Sequence, residues 1–240
     1  MTNQSVSQRL HENLGRIIAA AAPGERLPSE PALARDLGVS RATLREAMRT
    51  FETQGLIRRR QGSGTYVSHP SGVIDSGLEV LESIESMAER IHLAVRLGEL
   101  KVDRRTAHDD EAEALGIASN EEVLVISRVI MAEERPVAYL IDTLPVNVLS
   151  AEELAEEFTG SVLDLILQRG DPPLHYSRTE INAVTAPADI ARLMGIQRGD
   201  VLLRFNAHLH TIEGRVVDYS FSYFLPGYFR FHVVRRVNKP

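Results

Sequence analysis

The stretch LPSEPALARDLGVSRATLREAMRTFETQGLIRRRQGSGTYV, residues 27–67, decides the fold of the N-terminal part of the chain. Ser29 is placed to cap a helix, and Pro31 is tolerated in the first turn because amides there have no intrahelical partner. That helix ends near Leu37. Gly38-Val39-Ser40 supply a tight turn, and Ser40 caps a second helix that runs from Arg41 to about Gln54, where Gly55 stops it. Two short helices across a three-residue turn containing glycine fit a helix-turn-helix. In the second helix Leu44, Ala47, Met48 and Phe51 face inward, leaving Arg41, Thr43, Arg45 and Arg49 outside. Such a helix fits the major groove of B-DNA, where an arginine fork can hold guanine O6 and N7 together. The same helix also reads as a solvated face with Arg–Glu pairs through Glu46 and Glu52. The next stretch separates the two readings. Residues 56–60 form a strand, Gln61-Gly62-Ser63-Gly64 a turn, and residues 65–67 a returning strand. A basic hairpin beside such a helix is a wing, its tip suited to a minor groove and its arginines and amides to phosphates.

Working outward, residues 5–22 carry an apolar stripe at helical spacing (Leu10, Leu14, Ile17, Ile18, Ala21), ended by Pro23-Gly24. Residues 1–70 hold ten arginines and no lysine against six acidic residues, whereas the 240-residue chain has a formal net charge of −6. A basic head suits a polyanion, and an acidic body limits unspecific attachment to it. The chain has no cysteine, which excludes disulfides, thiol catalysis and thiolate metal sites. It has no apolar run of about 20 residues and no secretory signal pattern, so the expected location is the cytoplasm, without a membrane partner.

Residues 69–77 are rich in Pro, Gly and Ser and read as a linker, followed by a short helix within residues 78–89. The pattern from about residue 92 is mixed. Residues 106–109 (Thr-Ala-His-Asp) suggest a capping box, as do residues 150–153 (Ser-Ala-Glu-Glu). Strands are expected over residues 123–131, 136–144, 175–184, 201–211 and 215–224, with helices between them. The order predicts an antiparallel sheet with packed helices, an α+β arrangement. An echo links residues 112–126 with residues 190–204: helix, glycine stop before Ile, polar turn, strand. It suggests a pseudo-symmetric sheet with a ligand crevice between its halves.

Residues 5–68 resemble the winged helix-turn-helix of GntR-type bacterial transcription regulators through LPSE, GVSRATLREA, GLI and GSGTYV in order. Residues 90–240 resemble, more loosely, the UTRA effector-binding domain of the HutC branch. The resemblance implies three segments: residues 1–69 as DNA-binding domain, 70–89 as linker, and 90–240 as a chorismate-lyase-like effector-binding and dimerisation domain. It implies a homodimer on a near-palindromic double-stranded operator, a repressor's action, and a small-molecule effector. Carried over by position, the DNA contacts are Ser29, Glu30, Ser40, Arg41, Thr43, Arg45, Gln61, Gly62, Gly64 and Thr65, with Arg49 from the helix face. One departure is Pro31, which stands where the family commonly has a DNA-contacting arginine.

Alternation along the strands nominates effector-binding residues: Arg128 on one, and Asp218, Ser220, Ser222 and Phe224 on another, with Arg178 as a weaker candidate beside Arg204, Asn206 and His208. An arginine on an otherwise apolar face needs a partner when buried, and Arg128 and Asp218 could equally pair with each other. Relatives that bind sugar phosphates often have Arg-x-Arg where this chain reads Arg128-Val129-Ile130, which lowers the expectation of a sugar phosphate. An enzyme is the main rival, since the implied fold is shared with a lyase, but the chain has no nucleophile elbow, Walker loop, dinucleotide fingerprint or HExxH motif. His208 and His210 have no evident third ligand, so neither metal nor cofactor is expected. A DNA-binding protein without an effector is the other alternative.

Overall fold

Three helices, α1 (Val6–Ala20), α2 (Glu30–Asp36) and α3 (Arg41–Thr53), close around one apolar stripe per helix. Leu10, Leu14 and Ile18 of α1 meet Leu33 of α2 and Leu44, Met48 and Phe51 of α3 in a single buried cluster. The computed structural model describes residues 6–22, 24–53, 55–60, 63–67, 73–132 and 134–235. The α2–α3 turn depends on Gly38, whose φ of +66° lies in the left-handed region; a side chain there costs roughly 1–2 kcal/mol. The Ser40 hydroxyl accepts from the Thr43 amide at 3.1 Å and lies 2.8 Å from the Thr43 hydroxyl, so it caps α3 as expected. Ser29 precedes α2 in extended backbone but makes no side-chain cap bond.

The wing is an antiparallel pair, β1 (Ile57–Arg60) and β2 (Gly64–Val67), with Arg26 bridged to Tyr66 on the other edge of β2. Gly64 has φ +118°, a backbone conformation that strains any other residue, and a Cβ there would also displace the Arg26 side chain, 2.7 Å away.

The chain divides into two compact units near residue 73, residues 226–228 grouping with the first. The second unit contains β3 (Ile74–Gly77), α4 (Ile84–Glu89), β4 (Val95–Thr106), α5 (Asp109–Leu115), β5 (Glu122–Ala132), β6 (Arg135–Pro145), α6 (Ala151–Glu157), α7 (Val162–Arg169), β7 (Leu174–Thr185), α8 (Ala188–Leu193), β8 (Val201–Thr211), β9 (Val216–Phe224) and β10 (Phe229–His232). Six of these strands form one antiparallel sheet in the order β4-β5-β6-β9-β8-β7. Leu124, Ile126, Leu144, Leu209 and Val217 of the sheet pack with Val162, Leu165 and Ile166 of α7. On the other face Val123 and Tyr219 pack with Ala112 and Leu115 of α5.

The sequence echo is a duplication of β–α–β–β. β4, α5 and β5 recur as β7, α8 and β8, and the last strands of the two halves, β6 and β9, pair at the centre. Gly116 (φ +67°) and Gly195 (φ +62°) end the two equivalent helices. Behind them Ile117 N donates to Ala112 O at 3.0 Å and Ile196 N to Ala191 O at 2.9 Å, the same glycine stop made twice.

Two expectations are corrected. Residues 74–77, expected as linker, form β3, which pairs in parallel with β10 and groups with the second unit; the short helix expected within residues 78–89 is α4, capped by Ser83, whose hydroxyl accepts from the Ser86 amide at 3.0 Å. The first capping box closes two residues later than expected, with Glu111 accepting from the His108 amide at 2.9 Å. Its carboxylate is also held by two Arg105 bonds of 2.7 Å, which fixes where α5 begins. The Ser150–Glu153 box forms as expected. No helix among the described residues is long and apolar enough to cross a membrane.

Candidate functional site

Side chains on one face of a sheet line up across strands in rows. Arg128, Leu140, Ser222, Phe205 and Ile181 are successive register partners across five strands. Ile126, Asp142, Ser220, Ala207 and Thr179 make the next row. Apart from Ile126, they floor a cavity of about 510 Å³ that lies entirely in the second unit. The middle of the floor is made of small residues, Ser220, Ala207 and Ser222, which is why the cavity has depth there. The roof is the segment from Ser76 to Met87, the stretch expected to be a linker. Its Leu78, Val80 and Leu81 are more than a third exposed. Phe205, Phe224 and Phe231 close one end, with ring centroids 4.7–5.0 Å apart.

Three buried ionisable side chains meet at the floor. Arg128 Nη1 donates to Asp142 Oδ2, and the Arg128 guanidinium lies 5.8 Å from the Phe158 ring. Arg128 is 4% exposed, Asp142 8% and Asp218 6%, so all three are withdrawn from bulk water. Burial pushes the Asp218 carboxyl well above the usual range; the Asp142 charge and a hydrogen bond with Asp142 add to the rise, and Arg128 opposes it. Asp218 Oδ1 and Arg128 Nε have no hydrogen-bond partner among the described residues. Glu85, on the roof helix α4, is also raised by burial, with Arg128 acting the other way.

These directions carry a stability prediction. A carboxyl whose native pKa is raised favours the folded state below the unfolded value, and that contribution is lost as pH rises through the native value. Asp218→Asn removes the titration while keeping the shape. The melting temperature of the variant relative to the parent is therefore expected to rise as pH increases from about 4, then level off above the native value. Thermal melts across a pH series check this; a difference that stays flat from acid to neutral pH would contradict the burial of an ionisable Asp218.

Of the residues nominated from sequence, the structure brings Arg128, Asp218, Ser220, Ser222 and Phe224 to one cavity. Arg178 does not join them. Ser177, Thr179 and Ile181 of β7 face the cavity, and Arg178 points away, 75% exposed beside Glu180 at 3.6 Å. The expected alternative of an Arg128–Asp218 pair is also corrected, because the partner of Arg128 is Asp142. Sequence reading missed Asp142 and Glu85. The signal for Asp142 was present: it is the lone acid in a strand that is apolar on both faces.

In the first unit Ser29, Ser40, Arg41, Thr43 and Arg45 are exposed on the helix-turn-helix, and Glu30 and Arg49 are half-buried. Glu30 Oε2 accepts from Arg45 Nε at 2.7 Å, tying the start of α2 to α3. Arg49 is 3.2 Å from Glu46, and Arg59 is 3.4 Å from Glu52. Thus part of the Arg–Glu pairing expected of a solvated face does form, while Arg41 makes no ion pair among the described residues. On the wing, Gly64 is half-buried, but Thr65 is buried and its carbonyl accepts from the Leu27 amide at 2.8 Å, so its side chain is not presented outward. Gln61 and Gly62, expected at the wing tip, lie outside the described residues.

Comparison with known proteins agrees with this division. Residues 2–67 match the family of bacterial regulatory proteins of the gntR type, and residues 93–230 match the UTRA domain. The transcriptional repressor NagR of Bacillus subtilis is 28% identical over 203 residues, covering 83% of this chain and 81% of that protein. The histidine utilization repressor of Pseudomonas aeruginosa is 30% identical over 207 residues, covering 85% of this chain and 80% of that protein. The crystal structure of PhnF from Mycobacterium smegmatis shares the fold, with a TM-score of 0.65 at 22% identity over 95% of this chain and 100% of that one. These relatives are regulators rather than enzymes. The chain belongs to the gntR family of bacterial regulatory proteins, in the HutC branch that joins a winged helix-turn-helix to a UTRA domain, and is a DNA-binding transcription regulator.

Proposed function

We propose that the chain acts in the cytoplasm as a homodimeric repressor whose hold on a near-palindromic operator is set by a small molecule in the cavity of its second unit. One observation carries the reading: the cavity is roofed by residues 76–87, a few residues after the winged helix ends, so whatever fills it touches the segment leading to the DNA-binding unit. A ligand that prefers one arrangement of that segment shifts the population of head arrangements competent for the operator. Relatives named as repressors support the sign of the regulation.

At the operator, α3 enters the major groove. Arg41 reaches base edges from its first turn, and Arg45, whose Nε is held by Glu30, presents its terminal Nη groups. Ser29, Ser40 and Thr43 bind phosphates, as does the backbone of the Gln61–Gly64 wing tip; Arg49 adds positive charge behind them. A homodimer presents two such helices to half-sites one helical turn apart.

The test is selection of binding sites from random DNA followed by titration of the selected duplex. The expected result is a two-fold symmetric site, bound by a dimer, with affinity falling steeply with salt. Arg41→Ala is expected to cost about 1–3 kcal/mol of operator binding and to relax preference at one base pair of each half-site. An Arg41→Ala protein that melts normally and binds as tightly as the parent would remove Arg41 from base readout; an asymmetric site bound by a monomer would overturn the dimer.

A further inference from the structure

We propose that the cavity takes an organic cation with N–H donors on an apolar body, its charged end held by Asp218. This rests on the effector reading above and narrows it to a chemical class. Two polar atoms of lining residues have no hydrogen-bond partner among the described residues, Arg128 Nε and Asp218 Oδ1, and the acceptor of the two is a carboxyl oxygen on a side chain only 6% exposed. A buried acceptor of this kind is costly unless it receives a donor, and a charged donor suits it best.

The remaining charges on the lining point the same way. Five carboxyls face the cavity (Glu79, Glu82, Glu85, Asp142 and Asp218), against the one guanidinium of Arg128. That guanidinium already donates to Asp142, so its charge is largely spent within the protein. Glu82 is paired with Arg90, 2.8 Å away, while Glu85 is left on the roof facing Arg128 and Asp142 across the cavity. A phosphate or carboxylate entering here finds the lining arginine, Arg128, already committed to Asp142, and Arg90 committed to Glu82. An ammonium or amidinium finds an open acceptor in Asp218 Oδ1, and it keeps Asp218 ionised by replacing the proton that burial otherwise favours.

The rest of the cavity sets the shape of the ligand. Phe224 meets Phe205 and Phe231 edge to face at one end, with Ile181 beside Phe205 in the floor row. A flat apolar body packs there, over the small residues Ala207 and Ser220. The unpartnered Arg128 Nε adds room for one neutral acceptor, such as a hydroxyl or carbonyl oxygen, near the charged end.

The experiment is a thermal-shift titration of the full chain with three probes on one scaffold: 2-phenylethylammonium, 2-phenylethanol and phenylacetate, with inorganic phosphate as a fourth. The expected result is a dose-dependent rise in melting temperature with the ammonium. Its apparent affinity should exceed that of the alcohol by about tenfold or more, with no rise from phenylacetate or phosphate. Asp218→Asn should lower the ammonium affinity by a similar factor, and Glu85→Gln should lower it less, whereas Glu213→Gln, at an exposed turn, should leave it unchanged. If Asp218→Asn does not fold, the Glu85→Gln loss together with the probe ranking carries the test. A rise with phenylacetate or phosphate and none with the ammonium overturns the cation class and leaves the effector reading standing. Silence from all four probes overturns the inference here, and the effector reading is then judged separately by its effect on operator binding.

Discussion

Arg128→Ala is expected to destabilise the second unit by about 3–5 kcal/mol, the range for removing one partner of a buried ion pair. The reason is the company it leaves. Asp142 loses its only described ion-pair partner while remaining 8% exposed, and it faces Asp218 in the same cavity floor. Burial already pushes the neighbouring Asp218 carboxyl up, and Arg128 is the group that opposes that rise, so its removal leaves the floor with no cation of its own. A double variant, Arg128→Met with Asp142→Leu, removes both charges and keeps the volume. It is expected to recover most of the loss, because the pair's desolvation cost goes with it. Calorimetry on the full chain measures both. A single variant as stable as the parent would mean that the carboxyls are solvated and the floor is not buried as described.

Leu44→Ala is the second large effect, at about 2–5 kcal/mol. Leu44 is fully buried between α1, α2 and α3, in a unit of roughly seventy residues, where total stability is only about 4–10 kcal/mol. The variant is therefore expected to populate an unfolded DNA-binding unit and to lose operator affinity at all sequences and salt concentrations. That signature differs from Arg41→Ala, which keeps the melting behaviour and loses base preference. Ligand binding in the second unit should be unchanged in Leu44→Ala. Tight operator binding by Leu44→Ala at the parent's melting temperature would contradict the three-helix core.

The winged helix was legible because its signals are local. Gly38 and Ser40 set the turn and the cap within four residues, and the close approach of Arg26 to Gly64 fixes a hairpin that the glycines already announced. The duplication was legible for the same reason: Gly116-Ile117 and Gly195-Ile196 make the same helix stop twice. What stayed hidden is non-local. β3 and β10 pair across more than 150 residues, and four-residue strands carry too little periodicity to be seen. The apolar residues of the roof, Leu78 and Leu81, mimic a helical stripe while lining a cavity. Arg178 failed for a different reason. β7 is polar on both faces, so alternation says which residues share a face but not which face meets the cavity. Thr65 turns its side chain inward, since the pattern of a wing gives its place and not its side-chain direction. Asp142 could have been found by asking what partner Arg128 would need on the neighbouring strand.

The proposed function requires that occupation of the cavity change the hold on DNA. The most direct measurement is the operator affinity of the full chain with and without a small molecule that raises its melting temperature, repeated with Ser220→Leu, which places a larger side chain in the cavity floor. The expected result is a change in operator affinity of about 5–150-fold in the parent, and none in Ser220→Leu when that variant melts normally. A ligand that binds the second unit tightly and leaves operator affinity unchanged would contradict it.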